Sequence, residues 1–480
     1  MRRNGSDLAI TLGFAALFLA NIAHHAPWRD ELLAWMIART AATPLDLFRA
    51  LHVDGHPGLW HALLWPLTKL TADPVAMKAV HAAIGFAVIG LIGLASPFAR
   101  WERGLLLGGY FLSYEYAVIS RNYGIGLLLA LLYAQSRCTA PASVWRNALL
   151  LALLANTHIY CTILAGVFAL EYLIDRLRAG ARPILPALLA AAGFALALAT
   201  VWPAADISRE VTRPLVDALS PGHLLKTAIR FAIGLAPVRL TPLSWEFLLF
   251  PPERAGMVAL LPFLAAAVAL FGAAVVVLRR DGAALAVFMV SVAGAVAFGH
   301  LFHAVAVRHW GIVFTAFLAC LWMARLHGAG RSRVLVVLLL LGAVGGAEAM
   351  YLQWRLPFSQ ASAAARWIEG SPYGFRPLIG VPDAPSAAVA ALLARDLTMA
   401  ECTCTAPRAV FTTARDGFHR DMLPDALSRL AGPASLLVSA WELSPSELAA
   451  IAARGLNPRA VAAFTGAWVD EEFYLYTLDR

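Results

Sequence analysis

The chain has 480 residues, of which 60% are hydrophobic and only 14% charged, and its mean hydropathy is +0.69. Such values exclude an ordinary soluble domain and define a polytopic α-helical membrane protein. The net charge of +8 comes mostly from arginine; with no Lys/Arg-rich run or RNA-binding signature, it suits loops facing membrane lipids of an anionic leaflet and argues against nucleic acid as a partner.

Met1-Arg2-Arg3 precedes an apolar stretch over 8–23 with no small-residue cleavage site after it, so this segment reads as an uncleaved first span. Asp30 and Glu31 stand where that span ends, and a second polar knot, Asp54-Gly55-His56-Pro57, follows. A charge immersed in a bilayer costs roughly 3 kcal/mol or more, so acids at a membrane face call for a cation, a metal or a substrate. The alternative for Asp30 is that it caps a helix starting at Glu31. Residues 30–40 and 57–70 carry apolar side chains at helical spacing, with Trp35, Trp60 and Trp65 among them, which predicts helices lying in the membrane interface within an outer loop over 27–74.

Further apolar spans are expected at 75–94, 105–118, 124–134, 148–161, 163–174, 184–201, 256–278, 283–302, 311–324 and 334–350, making roughly eleven with the first. A cytoplasmic N-terminus then puts the loops carrying Arg100 and Arg103, Arg137 and Arg146, Arg176 to Arg182, Arg279-Arg280, and Arg325 to Arg333 inside, and all of them are basic. The C-terminal part lies outside. After Trp354 the apolar runs shorten, and 355–480 reads as a small extracytoplasmic soluble α/β domain attached to a membrane domain over 1–354. Its helices are expected at 361–368, 386–394, 423–430 and 445–453, and its strands at 377–381, 409–412, 435–440 and 472–478. Cys402 and Cys404 are too close in sequence for an easy disulfide, and Cys138, Cys161 and Cys320 read as small apolar side chains.

On this topology Glu115, Arg121, Asn122, Tyr123, Asn156, His158, His300, His303, Arg308 and His309 all fall within about two helical turns of the outer face. Arg121 and Arg308 suit a lipid-attached phosphate, and a carboxylate suits the proton of an incoming hydroxyl. Each also has a plainer reading: the arginines as snorkelling side chains, Glu115 as a structural partner of Arg121, and single histidines as packing groups.

Taken together, the Asp30-Glu31 pair, a helix opened by His56-Pro57-Gly58-Leu59-Trp60, the Arg121-Asn122-Tyr123 turn and an outer C-terminal domain resemble the GT-C superfamily of glycosyltransferases. The resemblance is greatest to family 39, the protein O-mannosyltransferases and lipid A aminoarabinose transferases. It implies a transfer from a polyprenyl-phosphate-linked sugar donor to a glycan, lipid or protein acceptor. Asp30 would be the catalytic carboxylate with Glu31 beside it, and His56, Glu115, Arg121, Asn122, Tyr123, His158, Arg308 and His309 would bind substrate. Relatives commonly have Pro-Pro where this chain has Pro57-Gly58, and many place a second acid in the second outer loop, where this chain has Arg121-Asn122. A divalent metal therefore stays open. Arginine outnumbers lysine and alanine is abundant, as in GC-rich bacteria, so a bacterial inner membrane is the expected location. The rival from another class is a transporter or flippase, disfavoured because the charges gather at one face and no internal repeat is found.

Overall fold

The structure is a computed structural model that describes residues 5–52, 54–207, 221–238, 257–302 and 306–480. His303, the outer segment over 208–220 and 239–254, and the expected span start at Gly256 lie outside the described residues.

Helix α1 (Gly5–His24) is followed by three short helices, α2 (Arg29–Thr40), α3 (Pro44–Leu51) and α4 (Leu59–Thr68). The Glu31 carboxylate fixes the start of α2 by accepting the Trp28 amide at 3.2 Å. Asp30 thus sits inside the first turn and does not cap the helix. Helix α3 was not expected, although its capping signal is complete. Thr43 Oγ1 accepts the Asp46 amide, Asp46 returns the bond to the Thr43 amide, and Pro44 occupies the first turn.

The chain continues through α5 (Val75–Gly90, extended by a π-turn to Ala95), α6 (Arg100–Leu107), a second π-turn at Phe111–Glu115, α7 (Asn122–Thr139), α8 (Val144–Ala155), α9 (Ile159–Arg178) and α10 (Ile184–Val201). Among the described residues seven helices are long and apolar enough to cross a membrane: Gly5–His24, Val75–Ala95, Ile184–Val201, Leu260–Leu278, Gly282–Leu301, Val307–Leu326 and Arg333–Arg355. Most are bare on one or more faces. Helix α10 leaves Ile184, Leu185, Leu188, Leu196 and Leu198 exposed, a pattern that calls for a nonaqueous surrounding. Val307–Leu326 differs, since nearly all of its side chains are buried, and it forms the axis against which α7 and Gly282–Leu301 pack.

The other four expected spans are shorter or more polar. The 105–118 segment breaks at the π-turn, 148–161 breaks after Ala155, and 124–134 and 163–174 lie within α7 and α9, whose ends carry Arg137, Glu171, Asp175 and Arg176. Arg103 is more than a loop charge. Buried, it donates to the carbonyls of Phe98, Gly93 and Ser96 at 2.9, 2.9 and 3.0 Å, holding the bend after α5.

The C-terminal part forms a six-stranded sheet ordered β3-β2-β1-β4-β6-β5, with β1 (Leu378–Val381), β2 (Leu397–Met399), β3 (Cys404–Ala406), β4 (Ala434–Ser439), β5 (Asn457–Phe464) and β6 (Phe473–Asp479). Strand β1 runs parallel to β2 and β4, and the other pairings are antiparallel. All four expected helices form, at Ala361–Gly370, Asp383–Leu392, Leu423–Leu430 and Pro445–Ala452. The strand expected at 409–412 does not; Thr412 only makes an isolated bridge to Ile207.

Alternation splits the sheet's side chains between two cores. Ile379, Leu437 and Leu478 pack with Leu427 and Ile451 beneath the two later helices, whereas Leu436, Val438, Phe473 and Leu475 join the large core that continues into the long apolar helices. An aromatic seam runs through that junction, with Trp28 against Phe358, Phe358 against Trp468, and Trp468 against Tyr114 at centroid separations of 5.5, 5.8 and 5.3 Å. Cys402 and Cys404 are disulfide-bonded, contrary to the expectation from their spacing. The intervening Thr403 takes a left-handed φ of 52°, which folds the two side chains back toward each other.

Candidate functional site

Asp30 is the hub of a polar cluster assembled from four distant segments. Its Oδ2 lies 3.0 Å from Nη2 of Arg308, which projects from the first turn of Val307–Leu326. Arg121, at the N-cap of α7, donates from Nη1 to the Asp30 carbonyl and from Nη2 to His56 Nε2 at 3.3 Å. Because a guanidinium only donates, His56 must accept at Nε2 and carry its proton on Nδ1, which faces the Asp54 carbonyl at 3.0 Å. The Asp54 carboxylate lies 3.1 Å from the same Nδ1 and 3.4 Å from His61 Nε2. Gly55, at φ 72°, supplies the left-handed turn that folds His56 back over Asp54. Asp54 and His61 were missed as site residues; the polar knot at 54–57 was the available signal.

Electrostatics follow from this packing. Burial alone raises the Asp30 pKa, but Arg308, Arg121 and Arg29 together hold it below the usual carboxylate range. Asp54 behaves likewise, with the hydrogen bond from His56 and the charge of Arg121 overriding burial. His61 is pushed down to about 4, chiefly by burial, with Asp54 opposing. The Arg308 guanidinium also lies over the Trp28 ring, 5.2 Å from its centroid.

Glu31 faces elsewhere. Fully buried, its carboxylate contacts His25 Nε2 at 2.9 Å and accepts the Ser120 amide at 2.6 Å, pinning α2 to the segment that leads into Arg121. Burial raises its pKa, and His25, Ser120 and Lys78 bring the net below the ordinary value. This geometry makes Glu31 a positioning residue and does not bring it to the Asp30 cluster. Glu115 accepts from the Tyr110 hydroxyl at 2.7 Å, and the Asn122 amide donates to the Thr157 carbonyl at 2.9 Å. Both are buried.

Tyr123, His158 and His309 form an aromatic layer behind the arginines. Tyr123 stacks on Tyr116 at 5.5 Å and lies 4.8 and 5.9 Å from the rings of His158 and His309. His158 Nε2 contacts Cys161 Sγ at 3.1 Å, and His309 Nδ1 accepts the Ala306 amide at 3.0 Å. Tyr116 completes the support by donating to the Arg308 carbonyl at 2.7 Å, an approach that leaves no room for a Cβ at Gly311. Asn156 donates to the Ala152 and Gly193 carbonyls, and His300 stacks on His223 at 5.2 Å, so both are engaged away from Asp30.

The C-terminal domain reaches the site directly. Arg29, next to Asp30, pairs with Asp470 at 3.0 Å and Glu471 at 3.5 Å, and its amide donates to Glu471 at 2.9 Å. The other Glu471 oxygen accepts from Ser359 at 2.6 Å. Between α2 and the Asp383–Leu392 helix lies a cavity of about 170 Å³, walled by Arg29, Asp30, Met36, Ala387, Arg408 and Phe411 among others. Among the described residues no group of three or more His, Cys, Asp or Glu side chains is arranged to hold a metal ion.

Fold and site together define a largely helical chain with seven helices fit to cross a membrane, a small mixed-sheet domain docked on it, and an acid-arginine cluster at the junction. No protein-family model, curated protein or solved structure matches it.

Proposed function

We propose that the protein is a GT-C-type membrane glycosyltransferase, resembling family 39, that moves a sugar from a polyprenyl-phosphate donor to an acceptor at the extracytoplasmic face of a bacterial inner membrane. Residues 1–354 would form the catalytic membrane domain, and 355–480 an outer domain over the site. The observation that carries this reading is the Asp30 carboxylate set between the Arg308 guanidinium, 3.0 Å away, and a cavity of about 170 Å³.

In the proposed step Asp30 takes the proton of the acceptor hydroxyl as its oxygen forms a bond to the anomeric carbon. The bond from that carbon to the phosphate oxygen breaks with inversion, and the departing lipid phosphate takes its electron pair to Arg308 and Arg121. His56, fixed by Asp54, orients Arg121. A carboxylate held by arginines is a weak base, so a donor phosphate that claims Arg308 would also restore the basicity of Asp30. The test is to supply the purified chain with labelled polyprenyl-phosphate monosaccharides and follow donor consumption. Asp30→Asn is expected to lower turnover by about 10²- to 10⁴-fold with the fold intact. Unchanged turnover refutes the assignment, and vesicle uptake without glycosidic-bond formation would favour a transporter.

A further inference from the structure

The C-terminal domain contributes more than a cover. Arg408 reaches the cavity beside Asp30 from the segment that follows β3, on the wall facing α2. Its guanidinium donates to the Ala409 carbonyl at 3.3 Å, and among the described residues no carboxylate lies within ion-pair distance of it. The three arginines around Asp30 are engaged: Arg29 by Asp470 and Glu471, Arg308 by Asp30, and Arg121 by the Asp30 carbonyl and His56. The remaining walls are apolar, built from Ala384, Ala387, Ala388, Ala391, Leu33 and Phe411, and provide Arg408 with no substitute acceptor. Burial draws the Arg408 pKa down, with the charge of Asp54 opposing. A half-buried guanidinium that faces a hollow and has no carboxylate in direct contact is a standing site for an oxyanion.

Position then separates this site from the arginine pair. Arg121 and Arg308 do not line the cavity, whereas Asp30 both lines it and contacts Arg308. We propose that Arg408 is a second anion-binding residue, holding a phosphate or carboxylate on the molecule that enters the cavity to meet Asp30 from the side of the C-terminal domain. The inference rests on the glycosyl-transfer reading, in which the leaving phosphate occupies the Arg121–Arg308 side and the acceptor approaches opposite to it. Arg408 thus selects an acceptor bearing an anionic group.

Calorimetric titration of the full-length chain in detergent tests this with two probes: sn-glycerol 1-phosphate, an anion on a hydroxylated body, and farnesyl phosphate, a lipid phosphate. Arg408→Gln is expected to weaken glycerol phosphate binding about tenfold or more, the scale of a lost charge-assisted hydrogen bond, and to leave farnesyl phosphate within about twofold. Arg408→Lys, which keeps the charge, should stay within about fivefold of the parent. Absence of glycerol phosphate binding, indifference to Arg408→Gln, or equal loss in the Gln and Lys variants overturns the proposal. Loss of farnesyl phosphate binding in Arg408→Gln also overturns it, since the anion would then be the lipid's. The underlying reading fails separately, if Arg308→Gln leaves farnesyl phosphate binding unchanged and no labelled donor is consumed.

Discussion

Replacing Glu471 with Gln should abolish a pH dependence in the docking of the C-terminal domain. Burial raises the Glu471 pKa from 4.5 to about 7, although Arg29 and Ser359 oppose the shift. A carboxyl group whose pKa is raised by folding contributes stability that is complete below the unfolded value and is lost as pH climbs through the folded one. The full loss over 2.5 units is about 3.4 kcal/mol, and about 1.3 kcal/mol of it falls between pH 6 and pH 8. Local opening at this junction exposes the Arg29 amide, bonded across it to the Glu471 carboxylate, and the Gln360 amide, bonded to the Glu471 carbonyl. Hydrogen exchange, corrected for its intrinsic pH dependence, should therefore show roughly tenfold less protection of these amides at pH 8 than at pH 6. Amides of β4 serve as the control. Glu471→Gln keeps the shape, cannot ionise, and should flatten the change. An equal slope in parent and variant, or protection that rises with pH, would refute the argument that burial outweighs the Arg29 pair.

His61 runs in the opposite direction. Its pKa falls from 6.5 to about 4, so its contribution is present above pH 6.5 and is lost on acidification. Stability should drop by about 2 kcal/mol between pH 6.5 and 4.5, and thermal melting of His61→Gln should show that limb missing. Gly311→Ala drives a Cβ into the Tyr116 hydroxyl and the Phe111 ring, and should cost about 1–3 kcal/mol in melting experiments while displacing the Tyr116 support of Arg308.

The sequence made helices easy to find and their ends hard. Composition and apolar runs located all seven of the long apolar helices found among the described residues, because a helix long enough to cross a membrane needs apolar residues on most sides. They could not separate Val307–Leu326, buried against protein, from α10, bare on its outer side, since the apolar runs at 311–324 and 184–201 are alike in carrying no charged residue. Strand β5 escaped notice because Ala460, Ala462 and Ala463 carry little β-propensity and Pro458 argues against a central strand; its place at the sheet edge is what makes the proline tolerable. The expected strand at 409–412 has the right residue types, but that segment instead carries Ala409 and Phe411 to the cavity wall.

At the site, adjacency in sequence was misleading in an instructive way. Successive residues on an α-helix point about 100° apart, so Asp30 and Glu31 cannot share one function unless the site wraps the helix. The structure sends Asp30 toward Arg308 and Glu31 toward His25 and Ser120. Their charge, their place after the first span and the resemblance nominated both, whereas helical phase would have forced a choice. The same logic explains why Arg408 was invisible: nothing local marks an arginine in a small domain as facing a helix about 370 residues earlier in the chain, and only the docking of the Asp383–Leu392 helix on α2 brings it there. The Glu471 junction therefore governs two things together. It holds the wall that carries Arg408 and, through Arg29, the turn that carries Asp30, so undocking the domain at high pH would remove the second anion site and loosen the first in one event.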